Sequence, residues 1–124
     1  MQYVIVGPKT PVAKIKQANK QSGQSMFPVV TETDHYMGYL LMDDLEQYPE
    51  AETAGEVLEK ARQAGFPRIA CIHGGDSFDD ALMVMRVEKL PFVPVVDYGN
   101  HFIGTVDSSS GERRRHLSAC LPIG

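Results

Sequence analysis

From Phe27 to Gly38 the chain reads FPVVTETDHYMG, and the same pattern returns from Val93 to Gly104 as VPVVDYGNHFIG. Pro28 and Pro94, Val29 and Val95, Val30 and Val96, His35 and His101, and Gly38 and Gly104 each stand 66 positions apart, without a gap. Carried upstream, the same offset pairs Thr10 with Asp76, two residue types that cap helices, each ahead of an amphipathic run. A duplication that keeps apolar spacing, caps and turns in one register implies two copies of a supersecondary unit about a pseudo-twofold axis. Function is then expected in the groove between them.

At 124 residues and 43% hydrophobic, the chain can bury one good core, which two half-sized units must share. With 16 acidic against 12 basic residues its net charge is −4, so it carries no global basic field for a nucleic-acid polymer. The apolar stretches are short and broken by Pro, Gly or charge, and the start of the chain has no apolar signal-peptide region. The expectation is a soluble, cytoplasmic protein with no membrane partner. Two cysteines, Cys71 and Cys120, are too few for a disulfide scaffold and read as free thiols.

Each copy reads as strand, helix, strand, strand and a short helix, which makes the chain an α+β protein of two βαββα units. In the first copy YVIV (Tyr3 to Val6) is a buried strand, and Thr10 caps a helix whose first residue is Pro11, with Val12, Ile15 and Ala18 on one face. In the second, IACI (Ile69 to Ile72) is the strand and Asp76 the cap, followed by a stripe of Phe78, Ala81, Leu82 and Met85. MFPVV and FVPVV then turn through ETD and YGN into YMGYLL and HFIGTV, an antiparallel hairpin in each copy. Val29, Val30, Val95 and Val96 are expected to build the core shared by the two sheets.

Between the copies, EQYPEAET (Glu46 to Thr53) is polar and proline-broken. Thr53 and Glu56 then form a capping box, Val57, Leu58 and Ala61 an apolar stripe, and Gly65 and Pro67 a stop. Residues 1–48 are thus a first repeat, 49–67 a linker with a connecting helix, and 68–124 a second repeat with its tail, where a helix is expected from about Glu112 to Cys120, before Pro122. The faces of Phe78, Leu82 and Met85 and of Val57 and Leu58 are more apolar surface than two small units cover, which predicts a homodimer that buries helical surface.

The doubled pattern of a capped helix, an h-P-V-V strand, a turn, and G-h-h leading to a polar cluster resembles the tandem cystathionine-β-synthase-type (CBS) domain pair, the Bateman module. The resemblance covers nearly the whole chain. It implies two βαββα CBS repeats packed through their sheets into a disc, often paired as a dimer. It also implies a regulatory role: such modules bind an adenosine-containing ligand (AMP, ADP, ATP or S-adenosylmethionine) in the clefts between repeats and signal to a partner, here an unknown effector protein.

In that family the strand after the glycine runs into Ser/Thr-x-x-Asp, whose hydroxyl meets phosphate and whose aspartate accepts from ribose hydroxyls. The first copy, Gly38-Tyr39-Leu40-Leu41-Met42-Asp43-Asp44, keeps the aspartate as Asp44 and has Leu41 in place of the hydroxyl. The second, Gly104-Thr105-Val106-Asp107-Ser108-Ser109-Ser110, has Asp107 at the hydroxyl position and Ser110 at the aspartate. Met26, Phe27, Phe92 and Val93, at strand starts interrupted by proline, are expected to hold adenine. Arg113, Arg114 and Arg115 follow Ser110 and are available to neutralise a phosphate. Asp44 has a second reading as a capping group in MDDLE. Because neither motif is complete, the alternative function is a ligand-free structural or dimerisation module.

Other constellations carry less. Two histidines equivalent by the repeat, His35 and His101, lack third and fourth ligands, so no metal is expected. The turn His73-Gly74-Gly75-Asp76 could cradle an anion, but Asp76 would oppose one. No base is evident beside Ser108, Ser109 and Ser110, and no Cys/His/Asp arrangement has the spacing of a nucleophilic enzyme, so catalysis is not expected.

Overall fold

A computed structural model describes residues 2–109 and 120–124. The elements run β1 (Tyr3–Val6), α1 (Val12–Ser22), β2 (Met26–Val30), β3 (Tyr36–Leu41), α2 (Met42–Gln47), α3 (Ala54–Gln63), β4 (Ile72–His73), α4 (Phe78–Glu88), β5 (Phe92–Val96), β6 (Phe102–Asp107) and β7 (Cys120–Ile123). One sheet has the order β3-β2-β1-β7 and the other β4-β5-β6. The 66-residue offset survives at the level of single pairs. Val6 lies opposite Val29 as Ile72 lies opposite Val95, and the register shift between Val29 and Val30 recurs between Val95 and Val96.

Both hairpin tips turn through a left-handed residue, Asp34 at φ 65° and Asn100 at φ 64°. Asp and Asn tolerate this conformation better than other side chains, which is why the two turns differ in sequence and agree in shape. The tips then pair with each other. Tyr36 N–H donates to the Asn100 carbonyl (3.0 Å) and Phe102 N–H to the Asp34 carbonyl (2.7 Å), with His35 and His101 bridged between them.

Strand alternation divides the core in three. Phe27 and Val29 face α1 and α3 with Val6, Ile15, Leu40 and Val57; Val93 and Val95 face α4 with Ile72, Ala81 and Met85. The opposite faces meet through Tyr3, Met26, Tyr39, Leu90 and Phe92, with the Tyr3 and Phe92 rings stacked 4.0 Å apart. The shared core is therefore not the expected valine quartet, because Val29 and Val95 point to their own helices and Met26 and Phe92 take the central places.

Three local expectations are corrected. Thr10 and Asp76 are equivalent, but neither caps a helix: Thr10 Oγ1 accepts from Gly7 N–H (2.9 Å) and Asp76 Oδ2 from His73 N–H (2.7 Å), closing the turn after each first strand. Pro11 and Ser77 are the N-cap residues, and Ser77 pairs reciprocally with Asp80. The strand expected over Ile69 to Ile72 begins only at Ile72, because the preceding backbone is drawn to the first repeat: the Arg68 carbonyl accepts from Tyr39 N–H (2.8 Å) and the Ala70 carbonyl from the Tyr36 hydroxyl (2.8 Å). Cys120, expected at a helix end, instead starts β7, which runs parallel to β1; Pro122 is tolerated there because β7 is an edge strand. The remainder of the expected tail helix lies outside the described residues.

α3 is capped as expected by Thr53, whose hydroxyl accepts from Glu56 N–H, while the Glu56 carboxylate reaches the N–H of Glu52 rather than that of Thr53. Among the described residues no helix is long and apolar enough to cross a membrane.

Gly38 has φ 137°, and a methyl group built on it would collide with the Arg68 carbonyl oxygen. Gly38→Ala should cost about 2–4 kcal/mol in urea unfolding. Gly23→Ala, at φ 77° with nothing within 4 Å of the added carbon, should cost only about 1–2 kcal/mol. Equal losses would refute the close approach of residue 68.

Candidate functional site

β3 delivers Leu41 to the N-cap of α2, and Leu41 has no side-chain acceptor to offer the helix. Asp44, at the third helical position, reaches back to the Leu41 N–H (3.1 Å), so its capping role is real. Its carboxylate is also gripped from the connector between α3 and β4. Arg68 Nε donates to Oδ2 (3.1 Å) and Nη2 to Oδ1 (2.9 Å), a two-pronged ion pair on a side chain that is only 6% exposed. Hydrogen bonding to Asp44 holds the Arg68 guanidinium above its ordinary pKa, and the cation also lies 5.5 Å from the Phe66 ring centroid. Three donors of the chain itself thus already meet the carboxylate that the resemblance gives to a ribose.

In the second repeat Asp107 accepts from the Tyr3 hydroxyl (2.8 Å) and from Ser109, through both its N–H (3.0 Å) and its hydroxyl (2.6 Å). Burial pushes the Asp107 carboxyl up, but the Ser109 and Tyr3 bonds outweigh it and leave its pKa below the ordinary value. Ser110 and Arg113 to Arg115 lie outside the described residues. Met26, Phe27, Phe92 and Val93 are fully buried, Met26 and Phe92 in the cluster between the sheets and Phe27 and Val93 in the clusters under the helices.

The open space lies elsewhere. A cleft of about 1030 Å³ runs between the repeats, lined by residues 5–10 of the first strand-to-helix turn, residues 30–34 of the first hairpin, residues 102–104 of β6, and Cys120 with residues 122–124 of β7. Of the five expected site residues that are described, Met26, Phe27, Asp44, Phe92 and Val93, none lines it. Thr10, 2% exposed, stands in its wall and donates its hydroxyl hydrogen to the Ile123 carbonyl (3.1 Å). Gly104 lines this cleft, whereas its repeat mate Gly38 is covered by the backbone of Arg68. Sequence reasoning missed the cleft because its walls come from tip pairing and from β7, both long-range; the equivalent turns at Thr10 and Asp76 were the available signal.

The histidine pair is an aromatic contact, rings 5.0 Å apart and edge-on, with His101 Nδ1 3.2 Å from Asp97. Among the described residues no group of three His, Cys, Asp or Glu could hold a metal ion. In the turn after β4, Gly74 N–H is bonded to Val96 and Asp76 N–H to His73, so these donors are not offered to an anion.

The sequence matches no protein-family model and no curated protein. The fold does match solved structures. The CBS domains of a transcriptional regulator from Streptococcus pneumoniae superpose with a TM-score of 0.69 at 18% identity, over 86% of this chain and 84% of that one. CBSX2 in complex with AMP gives 0.67 at 16% identity, over 86% and 84%. A CBS-domain pair crystallised with 5′-methylthioadenosine and S-adenosyl-L-methionine gives 0.64 at 17%, over 88% of each. This chain has the α+β fold of a CBS-domain pair.

Asp44→Ala should cost about 2–4 kcal/mol in denaturant unfolding, since it strands a part-buried guanidinium and the Leu41 N–H together. A loss below about 0.5 kcal/mol would mean that the pair is a surface contact of no consequence. Alkaline pH supplies a second check. Burial first, and then Asp107, push the Tyr3 phenol up to about 12, and burial raises Tyr36 as well. Unfolded tyrosines lose their protons near pH 10, so the native state holds more protons above that, and stability should fall as pH rises from about 10 to 12. Tyr3→Phe should flatten this fall, measured by urea unfolding at stepped pH; an unchanged slope would refute the burial of that hydroxyl.

Proposed function

We propose that the protein is a regulatory CBS-domain pair that binds one adenosine-containing ligand in the cleft beside Thr10 and signals to a separate effector protein. The observation that carries this reading is the cleft of about 1030 Å³ between the repeats, in a fold whose solved relatives include adenosine complexes. Its size suits a nucleoside ligand. Ile5, Val30, Phe102 and Ile123 supply apolar lining for a purine, and Thr31, Thr33 and Lys9 supply hydroxyls and a cation for sugar and phosphate. AMP, ADP, ATP and S-adenosylmethionine all offer the adenosine part. The role is non-catalytic: Thr10, the buried hydroxyl of the cleft wall, already has its proton on the Ile123 carbonyl and accepts from Gly7, so it positions rather than attacks. A cytoplasmic location goes with ligands of this kind.

A thermal-shift panel with these four ligands tests the reading. A ligand at a hundredfold its dissociation constant stabilises the native state by ~2.7 kcal/mol, a rise in Tm of about 10 °C for a domain of this size. Lys9→Glu should weaken AMP about tenfold and leave adenosine unchanged, because only the phosphate meets the reversed charge. No shift with any of the four would favour the structural module instead.

The same reading includes a homodimer, but not through the faces expected from sequence. Val57 and Met85 are buried, and Phe78, Leu82 and Leu58 pack on the cores. What α4 leaves outside is Met83 (54% exposed) and, one turn on, Val87 (68%). Light scattering at micromolar concentration should give twice the chain mass, and Met83→Glu with Val87→Lys should halve it. A wild-type monomer would remove the dimer from the account.

A further inference from the structure

The carboxylate of the first repeat already has a ligand, and the ligand is part of the chain. A ribose would offer Asp44 two neutral O–H donors side by side. Arg68 offers two N–H donors in a planar fork, carries a full charge, and is tethered by the connector, so it competes at high effective concentration. The same residue takes the neighbouring backbone donor, Tyr39 N–H, with its carbonyl (2.8 Å). Gly38 admits that carbonyl only because it has no side chain. At the repeat-equivalent position Gly104 borders the open cleft, so two glycines that symmetry would place alike have unlike surroundings.

We infer that Arg68 is an internal ligand of Asp44, one that closes the first cleft and limits the module to a single adenosine ligand. The stoichiometric part rests on the function proposed above; the occupation of Asp44 by a guanidinium does not. Calorimetric titration with AMP, or with S-adenosylmethionine if the shift panel selects it, should give one site in the wild type, two in Arg68→Ala, and one again in Arg68→Ala with Asp44→Asn. Two sites in the wild type, or one in Arg68→Ala, would overturn the inference. Arg68→Gln keeps most of the stem and serves if the alanine variant does not fold.

A second readout needs no adenosine. Millimolar methylguanidinium should raise the Tm of Arg68→Ala above that in equal sodium chloride, and should not do so once Asp44 is Asn. Absence of this selective rescue would overturn the internal-ligand claim even where ligand binding succeeds. Rescue without any adenosine binding to wild type or variant would leave Arg68 as the partner of Asp44 and overturn both the functional reading and the stoichiometry.

Discussion

Two backbone hydrogen bonds exchanged between the hairpin tips, Tyr36 to Asn100 and Phe102 to Asp34, fix how the repeats meet. Each is worth only about 0.5–1.5 kcal/mol net, less than the burial of one large side chain in the cluster below, where Met26 and Phe92 would each contribute ~1.5–3 kcal/mol. Burial therefore supplies the stability and the tips supply the register. A pair of left-handed residues at Asp34 and Asn100 makes each acceptor carbonyl part of a turn that fits the other. The cleft wall follows directly, since residues 30–34 and 102–104 are the two sides of that junction.

The pseudo-symmetry is then broken by what lies next to each repeat. β7 pairs with β1 over four residue positions, from Tyr3 with Cys120 to Val6 with Ile123. In the second repeat the corresponding backbone leaves early for the first, and β4 keeps two pairs with β5. The result is a connector carbonyl set against Gly38 and an open cleft beside Thr10. Replacing a buried ion pair with apolar groups is often neutral or stabilising, so the Arg68–Asp44 pair makes better sense as a device that fixes where the connector goes. Its energetic importance appears when only one partner is removed.

Much of the fold was legible locally. The two hairpins follow from period-two apolar runs joined by polar turns, and α3 from Thr53, Glu56 and Gly65, all signals within a few residues of each other. Errors arose where a long-range partner outbid a local one. Thr10 and Asp76 have the composition of caps but bond backward to Gly7 and His73, and the apolar run at Ile69 and Ala70 looked like a strand until its backbone was claimed by Tyr36 and Tyr39. Met26 and Phe92 looked like cleft residues because a proline follows soon after; strand alternation instead turns them into the shared core. Arg68 carried no local mark, standing 24 positions from Asp44, although a carboxylate on a buried helix start demanded a donor from somewhere.

The central proposal is that the cleft on the Thr10 side takes the ligand and the surroundings of Asp44 do not. Backbone amide shifts followed by NMR during titration with the adenosine ligand that binds test it most directly. The account predicts that Gly7, Lys9, Thr33, Ile103 and Gly104 move on binding while Gly38, Tyr39 and Asp44 stay in place. Movement concentrated at Gly38, Tyr39 and Asp44, with the Thr10 side unchanged, would contradict it.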